Sequence, residues 1–520
     1  MGKLLYTAVH LYPNMQDRWR DIRCGHEFSL ARGKRPLECP GCHKLRTKTV
    51  LEALSGPFRF FDDQQEKFVP KILADELLGM NDYMVHPVTD ELYVFDPETG
   101  IYIDDGRRVA EVIAREELDT MASTRRVSEV IDQMRRTREI MVDEDEINMP
   151  REYIVVDNGV LNIETRELMP WDPKIKHIVS VPVKYDPDCR CPKVEEFVGQ
   201  VVEPDNVPVI QEMFGYCLLR EYPFAKAFMM LGGGANGKST LLNLLTLFLG
   251  GGNVATPSLQ DLLRNRFAKV ELYGKLANIH SDLSSAALYN LGTFKMLTGG
   301  DTIRGEMKFV QRTLSFKNCA KLVYSCNKLP LIEEIDEAFL RRWIVIDFPN
   351  TFREGEGADP NVLDKMTTPG QMSGLLNWAL DGLERLRERG SFTMTKSRED
   401  IEMQWLRMSD SIQAFLKEEV EFRSGDFVEK EILYEVYGEY CQDHNLDMAD
   451  TGMMTRKMRT AFPQARLTQK RVAGKRPRVW SNIRLKNRFS VGDQVDDYDT
   501  VEEEDDYLYG PVRTLSEYDD

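Results

Sequence analysis

A chain of 520 residues is long enough for about three to four domains and a sizeable core. Its formal net charge of −17 argues against a nucleic-acid partner only until the charge is mapped along the chain. No apolar run approaches the ~20 residues of a membrane span, and residues 1–14 lack a secretory layout, so a soluble cytoplasmic protein with no membrane partner is expected.

The charge is unevenly placed. Residues 491–520 crowd Asp493, Asp496, Asp497, Asp499 and an acidic run at 502–506, whereas residues 452–490 contain no acid. That basic stretch includes Arg456, Lys457, Arg459, Arg466, Lys470, Arg471, Lys475, Arg476 and Arg478. Partners answer to local fields, so a polyanion remains a candidate. The nine cysteines are scattered apart from Cys24/Cys39/Cys42 and Cys189/Cys191, which reads as reduced thiols plus a metal site.

Residues 1–55 place Cys24 and His26 before a basic loop and Cys39 and Cys42 after it. Two such knuckles supply the thiolates and imidazole of a tetrahedral Zn²⁺ site, with His43 competing for the place of His26. A segment this small and polar needs such a staple. Residues 56–203 read as an α+β collar. It has an amphipathic helix over 65–79, a hairpin over 92–103, a helix around Val127–Met134 and paired strands over 153–169. Cys189 and Cys191 have no second pair close by and read as incidental.

Residues 204–355 carry the strongest chemistry. The apolar strand 228–231 runs into Gly232, Gly233, Gly234, Ala235, Asn236, Gly237, Lys238, Ser239 and Thr240, which fits G-x-x-x-x-G-K-[ST] ahead of a helix. Glycines let backbone N–H groups converge on phosphate, Lys238 is placed to reach the terminal phosphates, and Ser239 to ligate Mg²⁺. A second strand ends at Asp282, a carboxylate suited to Mg²⁺ and to polarising water, and a third ends at Asn327, which could orient that water. Arg341 and Arg342 precede a fourth strand. Between the second and third strands, Arg304, Lys308 and Phe309 mark a hairpin with a basic, aromatic tip suited to gripping a single strand.

The order GGGANGKST, ANIHSDL, FKMLTGGDTIRGEMKF, KLVYSCN and FLRRW across positions 232–342 resembles superfamily 3 helicases. It is similar in particular to the helicase half of phage and plasmid primase-helicases and the poxvirus-like replicative group. NGVLNIETRELMPWDP and VPVKYDPDCRCPKVEEFV extend the resemblance upstream, so that it covers most of 60–490. It implies an AAA+ fold, a homo-hexameric ring and 3′-to-5′ unwinding of forked or single-stranded DNA driven by ATP and Mg²⁺. A separate primase or polymerase is a further expected partner. By position, Lys238 and Ser239 are the phosphate-loop pair, Asp282 the Walker B acid and Asn327 the sensor. Arg341 or Arg342 is the arginine finger, and Lys308 sits at the DNA-contacting tip. Asp282 stands where many relatives have Glu, and no second acid follows it. Many members also carry an N-terminal primase domain, which nothing in this chain resembles.

Residues 356–425 read as a helical lid, with helices clearest at 377–386 and 401–422. Residues 426–490 read as a winged helix whose wing carries Lys470, Arg471, Lys475 and Arg476, and 491–520 as a disordered acidic tail. The expected class is therefore α/β, an AAA+ P-loop core with a zinc-binding segment, an α+β collar and a C-terminal winged helix. The expected activity is replicative unwinding for a virus or mobile element. An ATP-switched initiator platform and a bifunctional primase-helicase are the alternatives.

Overall fold

The computed structural model describes residues 16–21, 27–31, 51–53, 57–62, 67–148, 150–306, 313–332, 336–353, 358–444, 446–471 and 475–486. The zinc-knuckle residues Cys24, His26, Cys39 and Cys42, the hairpin-tip residues Lys308 and Phe309, and the segment 491–520 lie outside the described residues. The chain divides into a larger unit (1–283, 290–327 and 342–395) and a smaller one (284–289, 328–341 and 396–520). Among the described residues no helix is long and apolar enough to cross a membrane.

The larger unit is built on a five-stranded parallel sheet. Its spatial order is Val254–Ala255, Ala277–His280, Lys321–Cys326, Ala227–Leu231 and Trp343–Asp347. The Lys321–Cys326 strand is buried at every position, as expected of a parallel strand covered on both faces. Its two polar members have partners. Lys321 donates to Cys319 O at 2.8 Å and to Leu219 O, lies against the rings of Tyr216 and Tyr222, and burial pulls its ammonium down to about 8.

Helix Pro369–Arg389 packs on helix Val207–Cys217. A Cβ at Gly215 would stand 2.3 Å from Ala379 O, so only glycine allows this approach. The fully buried Glu212 fastens the pair, accepting from Arg385 Nε at 3.0 Å and from Thr393 N at 2.8 Å.

The collar segment holds the expected hairpin, Leu92–Asp96 against Ile101–Ile103, and the helix Thr124–Arg135, whose Val127, Val130, Ile131 and Met134 are buried. Strands Tyr153–Val156, Gly159–Asn162 and Leu168–Met169 follow as a meander. The helix expected over 65–79 is instead Pro70–Met80, preceded by a short strand containing Phe68. Proline suits a first helical position and shifts the start. Leu73, Ala74 and Leu77 form the buried face of this helix, while Ile72 is 39% exposed.

His86 anchors the same segment. Its Nδ1 accepts from Val88 N and Thr89 N at 3.3 Å, its Nε2 lies 3.3 Å from Tyr273 Oη, and its ring stacks on Tyr93. Burial lowers its pKa from 6.5 to about 4. The unfolded imidazole therefore binds a proton below about 6.5 and the folded one does not until about 4. The stabilisation is present above that window and lost as pH falls through it, by about 2–3 kcal/mol. Urea midpoints followed against pH should fall more steeply between these limits for the parent than for His86→Gln. Superimposable slopes would refute the anchor.

The smaller unit contains helices Arg398–Ser409, Ser411–Glu419, Lys430–Asp443 and Thr451–Ala461. Its antiparallel sheet runs Val420–Glu429, Arg478–Leu485, Leu467–Gln469. The single helix expected over 401–422 is corrected. Asp410 ends one helix and caps the next by accepting from Gln413 N at 3.0 Å, and the chain turns to strand at Val420. Helix Thr451–Ala461 is capped by Asp450, which accepts from Gly452 N and Met453 N.

Candidate functional site

Residues 232–237 leave the carboxyl end of the Ala227–Leu231 strand and enter helix Lys238–Leu249. Two glycines are required by space. A Cβ at Gly232 would stand 2.4 Å from Asn236 Nδ2 and 2.6 Å from Phe348 O. Gly237 has φ 88, in the left-handed region, and a Cβ there would meet Val201 Cγ1 at 2.5 Å. Gly233 and Gly234 have another role: among the described residues no atom stands within 4 Å of a Cβ built on either, so room is left in front of the loop.

The loop is drawn around Lys238, which is 6% exposed. Its Nζ donates to Gly232 O at 2.6 Å, Gly233 O at 2.7 Å, Asn236 Oδ1 at 3.0 Å and Asn327 Oδ1 at 3.4 Å. Burial pulls the ammonium below its ordinary pKa, and the nearby Asp282 carboxylate opposes that shift. Asn236 is buried and donates back to Phe348 O at 3.4 Å, while Ser239 is exposed and Thr240 half-buried at the helix start.

Sheet order explains why distant residues meet here. The Lys321–Cys326 strand lies between the loop strand and the Ala277–His280 strand, with Cys326 level with Leu231. Asn327 therefore emerges beside the loop, which Gly232 N reinforces by donating to Cys326 O at 3.3 Å. Asp282 lies two residues beyond the next strand, in the left-handed region at φ 62, a conformation aspartate tolerates. Its backbone N–H donates to Ser325 Oγ at 3.2 Å, and Leu283 N donates to Ser325 O at 2.7 Å.

The buried Ser325 thus holds the turn that presents Asp282, a role the sequence reading missed. No local signal marked it, since its partners come from the adjacent strand end. Asp347, level with Leu231 on the other flanking strand, is a further acid at this edge that was passed over. Burial raises the Cys326 thiol to about 12, so at neutral pH it brings no charge.

The arginines are placed differently. Arg342 precedes Trp343, which pairs with Ala227, and its carbonyl accepts from Ala227 N at 2.7 Å. It therefore starts from the amino edge of the sheet, a strand length of about 16 Å from the loop. Arg341, its neighbour in the chain, is exposed and follows the short helix Glu337–Leu340 in the smaller unit.

The expected hairpin forms from Thr302–Glu306 and Thr313–Lys317. Ile303, Leu314 and Phe316 are buried, while Arg304 is exposed opposite Ser315. In the smaller unit Arg471, Lys475 and Arg476 are exposed. Lys470 is half-buried with Nζ 4.5 Å from the centre of the Phe427 ring. Among the described residues no group of three or more His, Cys, Asp or Glu is arranged to hold a metal. Cys189 and Cys191 carry free thiols, and Cys191 is buried at the start of helix Pro192–Val201.

Comparison with known proteins adds five observations. Residues 71–203 match the family described as "D5 N terminal like". Residues 230–342 match a family of unknown function (DUF5906). A curated protein of Acanthamoeba polyphaga mimivirus described as "Putative helicase" is 29% identical over 161 residues, which span 29% of this chain and 16% of that protein. Among solved structures, the A form apo structure of the NrS-1 C terminal region overlaps 79% of this chain and 99% of its own at 14% identity, with a TM-score of 0.41. A second apo structure of that region gives 0.40 at the same identity and coverage. Over part of its length the chain is thus similar to a viral protein described as a helicase.

Proposed function

We propose that this chain is an ATP-dependent replicative DNA helicase of the superfamily 3, AAA+ type, acting as a ring of identical subunits for a virus or mobile element. The observation that carries the reading is the meeting of Lys238 and Asn327 at the carboxyl edge of a parallel sheet, with Asp282 presented from the adjacent strand end. Ligands of open α/β sheets sit at that edge, and phosphates sit on helix N-termini. The similarity of part of the chain to a viral putative helicase supports the same reading.

The residues fit a nucleoside triphosphate with Mg²⁺. Gly237 turns the chain into the helix, Gly233 and Gly234 leave room for phosphates, and Lys238 is a buried cation. Ser239 and Asp282 would hold the Mg²⁺, whose chemistry is to neutralise charge on the phosphate oxygens. Asn327 would orient the attacking water. Arg341 or Arg342 would serve the site of a neighbouring subunit, which suits the amino-edge position of Arg342 in its own chain. Arg304, Lys308 and Phe309 would grip one DNA strand in the ring, while Lys470, Arg471, Lys475 and Arg476 would contact DNA from a winged-helix module. Zn²⁺ on Cys24, His26, Cys39 and Cys42 would staple the N-terminal segment.

The direct test is strand separation on forked DNA, with ATP turnover followed with and without single strands. Parent protein should unwind the fork and turn over faster with DNA. Lys308→Ala should lose both effects, and normal unwinding by that variant sinks the grip assignment. An initiator that uses ATP only to switch its assembly would hydrolyse slowly and gain little from DNA.

A further inference from the structure

Residues 452–486 hold eleven Lys and Arg and no Asp or Glu. They form helix Thr451–Ala461 and the strand pair Leu467–Gln469 and Arg478–Leu485, all within the smaller unit. The helix buries Met454 and Met458 and exposes Arg456 and Arg459, which are one turn apart. Arg471, Lys475, Arg476 and Arg478 are exposed on the strand pair and its connection. Among the acids that meet this element, Asp450 caps the helix, Asp410 pairs with Lys457, and Glu421 lies opposite Arg484 on the neighbouring strand.

After Lys486 only residues 487–490 separate this stretch from 491–520. That segment carries twelve Asp and Glu against one base, Arg513, together with four tyrosines. An excess of eleven positive charges is thus joined to an excess of eleven negative ones by a short connector. The tether holds the second stretch near the first at an effective concentration on the order of millimolar. A chain of thirty residues can span at most about 100 Å, ample to follow a helix and a strand pair. Its tyrosines can lie against guanidinium planes.

We propose that residues 491–520 dock on the basic stretch 452–486, which comprises helix Thr451–Ala461 and the strands Leu467–Gln469 and Arg478–Leu485, and act there as an intramolecular competitor for polyanions. The docking does not depend on which polyanion the face takes, whereas competition with DNA rests on the functional reading above. An incoming strand displaces the acidic segment, so weak non-specific binding is suppressed and binding by many phosphates at once is retained. Because the contact is electrostatic and exposed, salt screens it.

Two measurements on the full chain decide the matter. Zero-length carbodiimide cross-linking at low salt should join carboxylates of 493–506 to Lys470, Lys475 and Lys486, and added salt should erase those links. Cross-links spread evenly over lysines of the whole chain overturn the docking. Replacing the twelve acids by Asn and Gln should raise affinity for an oligothymidylate by about tenfold at low salt, with the gap closing at high salt. Equal affinities at low salt overturn the competition. If neither protein binds the oligonucleotide, the DNA reading has failed and the cross-links alone decide the docking. None of the twelve lies in a described element, so misfolding of the core cannot imitate either result.

Discussion

Lys238→Ala is expected to reduce ATP turnover by about 10³-fold, the cost of deleting a preorganised cation aimed at developing phosphate charge. The reasoning starts from burial. Lys238 is 6% exposed and makes four hydrogen bonds, three of them to its own loop and one to Asn327. A buried ammonium is costly unless surrounded by acceptors, and the loop carbonyls supply them. On the proposed reading, the cation would exchange those carbonyls for the oxygens of a bound triphosphate.

Alanine removes the charge and also leaves the carbonyls of Gly232 and Gly233 without this donor. A second, smaller effect of about 1–3 kcal/mol on stability should therefore accompany the lost turnover. Lys238→Met separates the two, since it fills the stem's volume without charge: turnover stays lost while more of the stability returns. Phosphate release and thermal midpoints measured on both variants check this. A Lys238→Ala protein within about tenfold of the parent rate would remove the nucleotide site from the account.

How much of this was legible beforehand follows from which signals are local. The phosphate loop declares itself because its glycines, lysine and flanking apolar runs are contiguous. The strands that lead to Asp282 and Asn327 and the one after Arg342 were visible for the same reason. Turn chemistry placed the hairpin at 92–103.

Ser325 was not legible, because its role is created by the strand beside it and a hydroxyl in an apolar run carries no signature. The break at Asp410 was missed because apolar residues on both sides keep helical spacing through it. The strand Val420–Glu429 pairs only with residues some 60 positions later, so no local pattern announces it. Nor could the sequence reveal that the residues just beyond Asp282 and Asn327, at 284–289 and 328–341, belong to the smaller unit. That follows from packing, and it means each candidate catalytic strand end passes directly into the unit carrying the basic face.

The arginine prediction depends on geometry that composition cannot supply. Arg342 starts at the opposite edge of the sheet from the loop, and on the proposed ring reading it would serve the loop of another copy. Arg341→Ala and Arg342→Ala are therefore to be tested separately, and the true finger variant should turn over ATP about 10³-fold more slowly than parent. Mixing is more decisive than loss. A Lys238→Ala subunit has a dead loop but an intact finger, and a finger variant has the reverse. In equimolar random rings about one interface in four joins an intact loop to an intact finger, so about a quarter of parental turnover should return from two inactive proteins. A finger acting within its own chain would give no recovery at any ratio. Recovery with one arginine variant and not the other names the finger. Recovery with neither, from rings verified to contain both subunits, would show that the sites are completed without a neighbour's arginine.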